Sequence, residues 1–290
     1  MSVLVGERRR LALPLPSLRW PKVADWPASL RVGGGVLLFW VLLSLVAPLI
    51  LPYGPETVVY GKKLQPPSGE FLFGSDPTGR DVLARVVYSF RYDVLIAVGG
   101  VAMAITGGIL LGSVAASARA IVDDAIMRAL DVVSAFPSFV LALTLAAALG
   151  ANLLNVVIAI GIVYVPHYAR LVRAQMMAER SKQYCEAAHC MGLPRRRIVF
   201  VHLLPNSLSA VITQAAMNVA TSMMIAAGIS YLGFGVRPPA PEWGLMISEG
   251  ASYIVSGQWW VAVFPGLAII SVVTSCILLD DGLRQKLKLS

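Results

Sequence analysis

Residues 94–116 read VLIAVGGVAMAITGGILLGSVAA, 23 residues without one ionisable side chain. A helix rises about 1.5 Å per residue, so about 20 apolar residues cross a hydrocarbon layer about 30 Å thick. This stretch is long enough to do so and too apolar for the surface helix of a soluble domain. Five others share its character, at 32–51, 125–149, 153–169, 208–232 and 254–279. Six such stretches predict an all-α membrane protein of six transmembrane helices. Composition agrees: 57% of the 290 residues are hydrophobic and 14% charged, where a soluble domain carries about 25% charged residues. A mean hydropathy of +0.72 excludes a disordered chain on the same physical grounds. The first span does not read as a cleavable signal peptide, because its flank is long and Pro48, Pro52 and Pro55 replace a small-residue cleavage site. Gly150, Ala151 and Asn152 alone separate the third and fourth spans, which predicts a tight antiparallel hairpin.

Charge sets the expected orientation. With both termini placed inside, the inner segments hold eighteen of the 24 Lys and Arg residues: six in the N-terminal tail, two between spans two and three, seven between spans four and five, and three in the C-terminal tail. Six face outward. Such a bias marks the cytoplasmic side. It accounts for the net charge of +8 without nucleic acid as a partner. The expected organisation is a cytoplasmic tail (1–31), a six-helix membrane domain (32–279) with a large inner loop (179–206), and a cytoplasmic tail (280–290). Asp93, Asp123, Asp124, Arg128, Asp131, Arg170 and Asp280 all fall near span ends. No file of carboxylates or histidines crosses the bilayer, as a proton-coupled carrier requires, and no stacked arginines form a voltage sensor. Gly99, Gly100, Gly107, Gly108 and Gly112 suit close helix packing, with a hinge at Gly107-Gly108 as the alternative. Cys185, Cys190 and Cys276 are odd in number and imply no disulfide framework.

The inner loop reads ERSKQYCEAAHCMGLPRRRIVFVHLLPN from Glu179 to Asn206. Its first half is helix-compatible, and Gly192 followed by Pro194 is a stop signal. Residues 195–201 suit a second short helix before Pro205 turns the chain into the fifth span. The elbow so formed offers one acid, Glu186, a small flat face at Ala187 and Ala188, and the basic cluster Arg195–Arg197. A helix laid into a partner's groove presents this kind of surface; an ordinary basic linker is the plainer reading. His189 and His202 lack a third ligand nearby, so no metal site is expected.

Glu186-Ala187-Ala188, Gly192 six residues after the Glu, and Leu204-Pro205 together resemble the EAA motif in permease subunits of ABC importers. His202 stands where the general pattern has an aliphatic residue, and in this it looks like the peptide-importing branch. Two more segments resemble dipeptide, oligopeptide and nickel permeases: residues 73–81 (FGSDPTGRD), with Arg85 following, and residues 228–236 (GISYLGFGV), followed by Pro238, Pro239, Pro241 and Trp243-Gly244. The three motifs run from 73 to 245 in the family's order. The resemblance implies the type I importer permease fold, here in the shorter, second permease of a pair. It also implies a coupling surface for an ATPase at Glu186, Ala187, Ala188, Gly192, Arg195, Arg196, His202, Leu204 and Pro205. An outer gate or binding-protein contact is implied at Asp76, Gly79, Arg80, Asp81, Gly233, Phe234, Gly235, Pro238, Pro239 and Trp243.

Physical readings stand beside these. Asp76 can cap the turn at Pro77-Thr78-Gly79. Asp81 and Arg85 are spaced for a helical i, i+4 pair, and Trp243 suits the outer interface. Asn218, Ser222 and Met223 are the expected pore-lining residues of the fifth span. No phosphate-binding G-x-x-x-x-G-K-[ST] loop and no nucleophile arrangement occurs. The chain is therefore expected to be no enzyme and to bind no cofactor, with ATP and Mg on two separate ATPase subunits. A homologous permease and an extracytoplasmic binding protein complete the expected set, in the inner membrane of a prokaryote. Di- or oligopeptides are the expected cargo, with nickel or another small solute as the alternative. An ATP-independent channel or carrier, or a scaffold that moves nothing, are the readings from other classes.

Overall fold

The computed structural model describes residues 26–288, so most of the basic N-terminal tail lies outside the described residues. Its helices are α1 (Ala28–Ile50), α2 (Val82–Ser117), α3 (Ala120–Ser134), α4 (Ser138–Leu149), α5 (Leu153–Arg180), α6 (Gln183–Cys190), α7 (Arg195–Arg197), α8 (Leu204–Tyr231), α9 (Trp243–Ile254) and α10 (Trp260–Lys288). Five helical runs are long and apolar enough to cross a membrane: α1, α2, α5, α10 and a continuous run from Arg195 to Tyr231. The expected third span is instead α3 and α4, bent by 86° at a short break. Pro137 has no N–H to give and fixes its φ, and α3 carries Asp123, Asp124, Arg128 and Asp131, which hydrocarbon disfavours. Bending leaves those charges at one end and only α4 among the spans.

The packing of α2 on α5 shows that the bent pair still returns the chain across the bundle. Along this seam, a Cβ built on Gly100 would lie 2.6 Å from Ile160, one on Gly108 2.3 Å from Tyr168, and one on Gly112 2.5 Å from the Ala169 carbonyl. Both sequences advance together, so the two helices run parallel. The chain can resume in the same direction only if α3 and α4 carry it back, and the count is six crossings with the third one broken. Glycines here let backbones touch where lipid supplies no hydrophobic drive. The Gly107-Gly108 hinge is not realised: α2 runs 36 residues without a break.

Three further boundaries differ from expectation. α2 begins at Val82, capped by Asp81, whose side chain accepts from the Leu83 N–H at 3.0 Å. α5 runs eleven residues past its apolar part, where Arg173 meets both Asp123 oxygens at 2.6 Å and Arg170 meets Asp131 at 2.9 Å. α10 starts at Trp260, after a turn in which Gly257 takes φ +91°. Trp26 lies under the Lys286 ammonium, 4.7 Å from ring centroid to Nζ. The first and last described turns therefore share the end of the bundle that holds α6. At the opposite end lie the 51–81 loop, the α4–α5 turn, and residues 232–259.

Candidate functional site

The elbow is built from two well-capped ends. α6 closes with Gly192 at φ +73°, its N–H on the His189 carbonyl at 3.0 Å, while the Leu193 N–H reaches the Ala188 carbonyl at 3.2 Å. This is a Schellman closure, in which a residue without Cβ takes the left-handed conformation. One face of α6, Cys185 and Ala188, packs into a core with Tyr168, Val172, Met176, Ile198, Val199 and Leu203. The other face, Glu186, Ala187 and His189, is exposed. Glu186 makes no ion pair among the described residues, so the elbow presents a free carboxylate on a helix whose back is fixed.

Chain direction after α6 departs from the expected second short helix and turn at Pro205. Residues 195–231 form one helical run, and Ile198–Leu203 within it are wound as a π-helix. A proline ring in a regular helix collides with the carbonyl four residues back, here Val201. The wider π turn gives it room. Leu204 is half-buried, and Pro205, Arg196 and Arg197 are exposed. Arg195 donates to the Ser117 carbonyl at 2.7 Å, tying the elbow to the end of α2. His202 sits 6.5 Å from the Tyr184 ring, ring to ring.

A clamp that the sequence reading missed holds the elbow closed. Glu179, at the end of α5, accepts from Lys182 Nζ at 2.7 Å and from the Tyr184 hydroxyl at 2.6 Å, and Asn206 Nδ2 reaches that hydroxyl at 3.3 Å. The hydrogen bond to Glu179 raises Lys182 above its ordinary value. α5 and α6 thus meet on this carboxylate, and α8 joins them through the Tyr184 hydroxyl. Between this elbow and the end of α2 opens a cleft of about 520 Å³, lined by Ser117, Arg180, Glu186, His189, Cys190 and Arg195 among others.

The opposite end holds the second set of expected residues, most of them inside. Asp76 Oδ1 accepts from Thr78 N–H (2.8 Å), Thr78 Oγ1 (2.7 Å) and Arg80 N–H (2.9 Å), while Oδ2 takes Arg80 Nε at 2.7 Å. The turn cap expected at Asp76 is therefore present. Burial works to raise the Asp76 carboxyl, but these hydrogen bonds and the Arg80 and Arg85 guanidinium groups hold it below the usual carboxylate range. Asp81 does not pair with Arg85: as a helix cap it lies outside helical geometry and folds onto Leu83 N–H. Burial pushes Asp81 up. Arg85 instead lies 3.6 Å from Asp76 and 3.2 Å from Glu249 of α9. Arg80 approaches the same Glu249 oxygen at 3.7 Å. Asp76, Gly79, Arg80 and Asp81 are thus the buried frame of the loop.

Trp243 is also a correction. It does not sit at the outer interface but is fully buried, its Nε1 donating to the Val86 carbonyl at 2.9 Å, its ring 5.4 Å from Trp40. An indole carries one donor, and one helix carbonyl satisfies it. Gly235 is buried too, because a Cβ there would fall 1.8 Å from Ser230 Oγ. Gly233, Phe234, Pro238 and Pro239 are the members of this set that remain exposed. Asn218, Ser222 and Met223, expected along a pore, face the chain's own core. Their spacing sets them on the side of α8 that packs inward, whereas Met224, 58% exposed, is on the open side. The sequence signal missed here was Asp93: an ionisable residue well inside an apolar helix, which the late start assigned to α2 had moved to its end.

Comparison with known proteins adds the following. The family described as "Binding-protein-dependent transport system inner membrane component" matches residues 108–289. The chain is 39% identical to the di/tripeptide transport system permease protein DppC of Pseudomonas aeruginosa, over 94% of each chain. It is 36% identical to the dipeptide transport system permease protein DppC of Alkalihalophilus pseudofirmus, over 94% of this chain and 93% of the relative. It is 35% identical to the glutathione transport system permease protein GsiD of Pectobacterium atrosepticum, over 93% and 92%. Among solved structures, an inward-facing form of the MetNI methionine ABC transporter superposes with a TM-score of 0.55 at 18% identity, covering 69% of this chain and 95% of that one. That likeness speaks to fold.

Proposed function

Since the chain belongs to the family of binding-protein-dependent transport system inner membrane components, we propose that its elbow receives the stroke of a separate ATPase and that its cargo is a short peptide. It is a multi-pass ABC importer permease, a transport subunit rather than an enzyme. The family works with ATPase and binding-protein subunits. In the finer reading, two ATPase subunits hold ATP and Mg, a homologous permease completes the pathway, and an extracytoplasmic binding protein docks on the far end near Phe234 and Pro238. The basic bias of the elbow side supports placing that side in the cytoplasm of a prokaryote, with the chain in its inner membrane. The peptide reading is supported by relatives that carry dipeptides, tripeptides and glutathione in their names.

One observation carries the coupling role: Glu186 is a solvent-facing acid, without an ion partner among the described residues, on a helix whose other face is locked into the core. A lone charge on a fixed mount suits docking, because little order is lost when a partner engages it. ATP can bias the bundle only by binding its states unequally through that contact. The test is Glu186→Lys in the assembled importer. Uptake and substrate-stimulated ATPase activity should be lost while membrane insertion and yield are unchanged; unimpaired uptake refutes the coupling role. For cargo, uptake of labelled di- and tripeptides should fall on deletion and be restored by the wild-type chain. Competition by nickel and not by peptides refutes the peptide reading.

A further inference from the structure

Asp93 of α2 and Glu242, the cap of α9, are each 0% exposed. Both carboxyl groups converge on the first turn of α9, each taking backbone N–H groups of consecutive residues there. Glu242 accepts from the N–H groups of Gly244 (3.1 Å) and Leu245 (2.7 Å), and Asp93 Oδ2 from that of Trp243 (3.3 Å). Asp93 Oδ1 is the one oxygen of the four without a backbone donor, and it has no hydrogen-bond partner otherwise.

Among the described residues no cation compensates the pair. On α2, Arg85 is taken by Asp76 and Glu249, and Arg91 by the Ser44 carbonyl of α1; Tyr88 and Tyr92 complete that stretch. α9 brings Glu249, held by Arg80 and Arg85, and Tyr253. α8 brings the buried Ser230 hydroxyl beside Glu242 and the exposed Tyr231, and the connecting segment brings exposed Arg237. The ionisable groups of α1 and α10 (Arg31, Cys276, Asp280, Asp281, Arg284 and Lys286) lie toward the elbow end. Two adjoining buried carboxylates with no counter-charge cannot both stay ionised.

We infer that Asp93 and Glu242 share one proton, carried on Asp93 Oδ1 and donated to Glu242, and that this proton clasps the start of α9 to α2. Glu242 keeps the negative charge because both of its oxygens cap a helix N-terminus, where an anion is favoured. Asp93 is the acid because its free oxygen is the only one in need of a hydrogen. Both are positioning residues: they hold Trp243 against Val86 and, through the segment that carries Phe234 and Pro238, set the far end of the pathway. Loss of the proton leaves two facing anions and opens the clasp. A group that binds its proton in the folded state gives stability that is present at lower pH and lost as pH rises.

The test uses the purified, assembled importer and is independent of its cargo. Infrared difference spectra between H2O and D2O should show a carboxylic-acid C=O band in the wild type that is absent in Asp93→Asn and shifts to higher frequency in Glu242→Gln, where its acceptor is no longer charged. The wild-type Tm should fall as rising pH removes the shared proton, and Asp93→Asn, a permanent neutral donor of the same shape, should lose that slope. A band that neither disappears nor shifts, or an Asp93→Asn variant with the wild-type pH slope, overturns the shared proton. Should Asp93→Asn fail to fold, the wild-type and Glu242→Gln spectra still decide: no acid band, or one that Glu242→Gln leaves in place, overturns it.

Discussion

Gly108 and Gly35 show how little the residue name says without its neighbours. A Cβ on Gly108 would stand 2.3 Å from that of Tyr168, with backbone atoms of α5 at 2.9 Å, so nothing flexible can yield. Gly108→Leu should prevent α2 and α5 from closing, measured as loss of folded, monodisperse protein from detergent extracts. Gly35, in α1, meets nothing within 4 Å. Gly35→Ala should leave yield unchanged and raise stability by about 0.5–1 kcal/mol through helix propensity. At Asp76 the prediction concerns pH. Its carboxyl is held below the ordinary range, so its contribution is complete above the ordinary carboxylate value and is lost as pH falls through the lowered one. Hydrogen-exchange protection factors over Leu64–Arg80, corrected for the intrinsic pH dependence of exchange, should fall below about pH 4 and stay constant from there to neutrality.

The elbow is the element on which the sequence and the structure agree best, and also where they part. Gly192 was readable as a stop, since a glycine after a helical stretch and before Pro194 admits few other meanings. The buried and exposed faces of α6 were legible only as composition, because an eight-residue helix shows about two turns of periodicity. Pro205 misled: a proline normally ends a helix, and the π-helical turn that tolerates it has no sequence signature. Glu179, Tyr184 and Asn206 were invisible as a set, since their meeting is a tertiary event. The clamp they form gives its own prediction. Glu179→Gln weakens both hydrogen bonds that converge on the carboxylate, so proteolysis between Ser181 and Asn206 should quicken several-fold while the span-embedded helices keep their protection. Gly192→Val should do the same through backbone strain of about 1–3 kcal/mol.

Across the whole molecule, the number of crossings could be read from apolar runs, whereas their shape could not. Hydropathy sums over a window and is blind to direction, so the bend at Ala135–Pro137 left no trace in it, and Arg85 and Asp93 made α2 look twelve residues too short. Orientation has a built-in reporter. Cys190 is exposed on the elbow, and Cys185 and Cys276 are buried. A membrane-impermeant maleimide should label Cys190 in inside-out vesicles and not in intact cells, and Cys190→Ser should abolish the labelling. Reaction from the outside of intact cells would invert the proposed topology.

The parallel glycine seam between α2 and α5 has a mechanical corollary. Two rods welded along their length bend far less than either alone, and α2 measures about 54 Å from end to end. A nudge at its elbow tip is delivered to Asp81, on the opposite face of the bilayer, as displacement and not dissipated as local softening. In the proposed transport cycle both mouths of the pathway would thereby be geared to one shaft, so that neither would swing wide without moving the other.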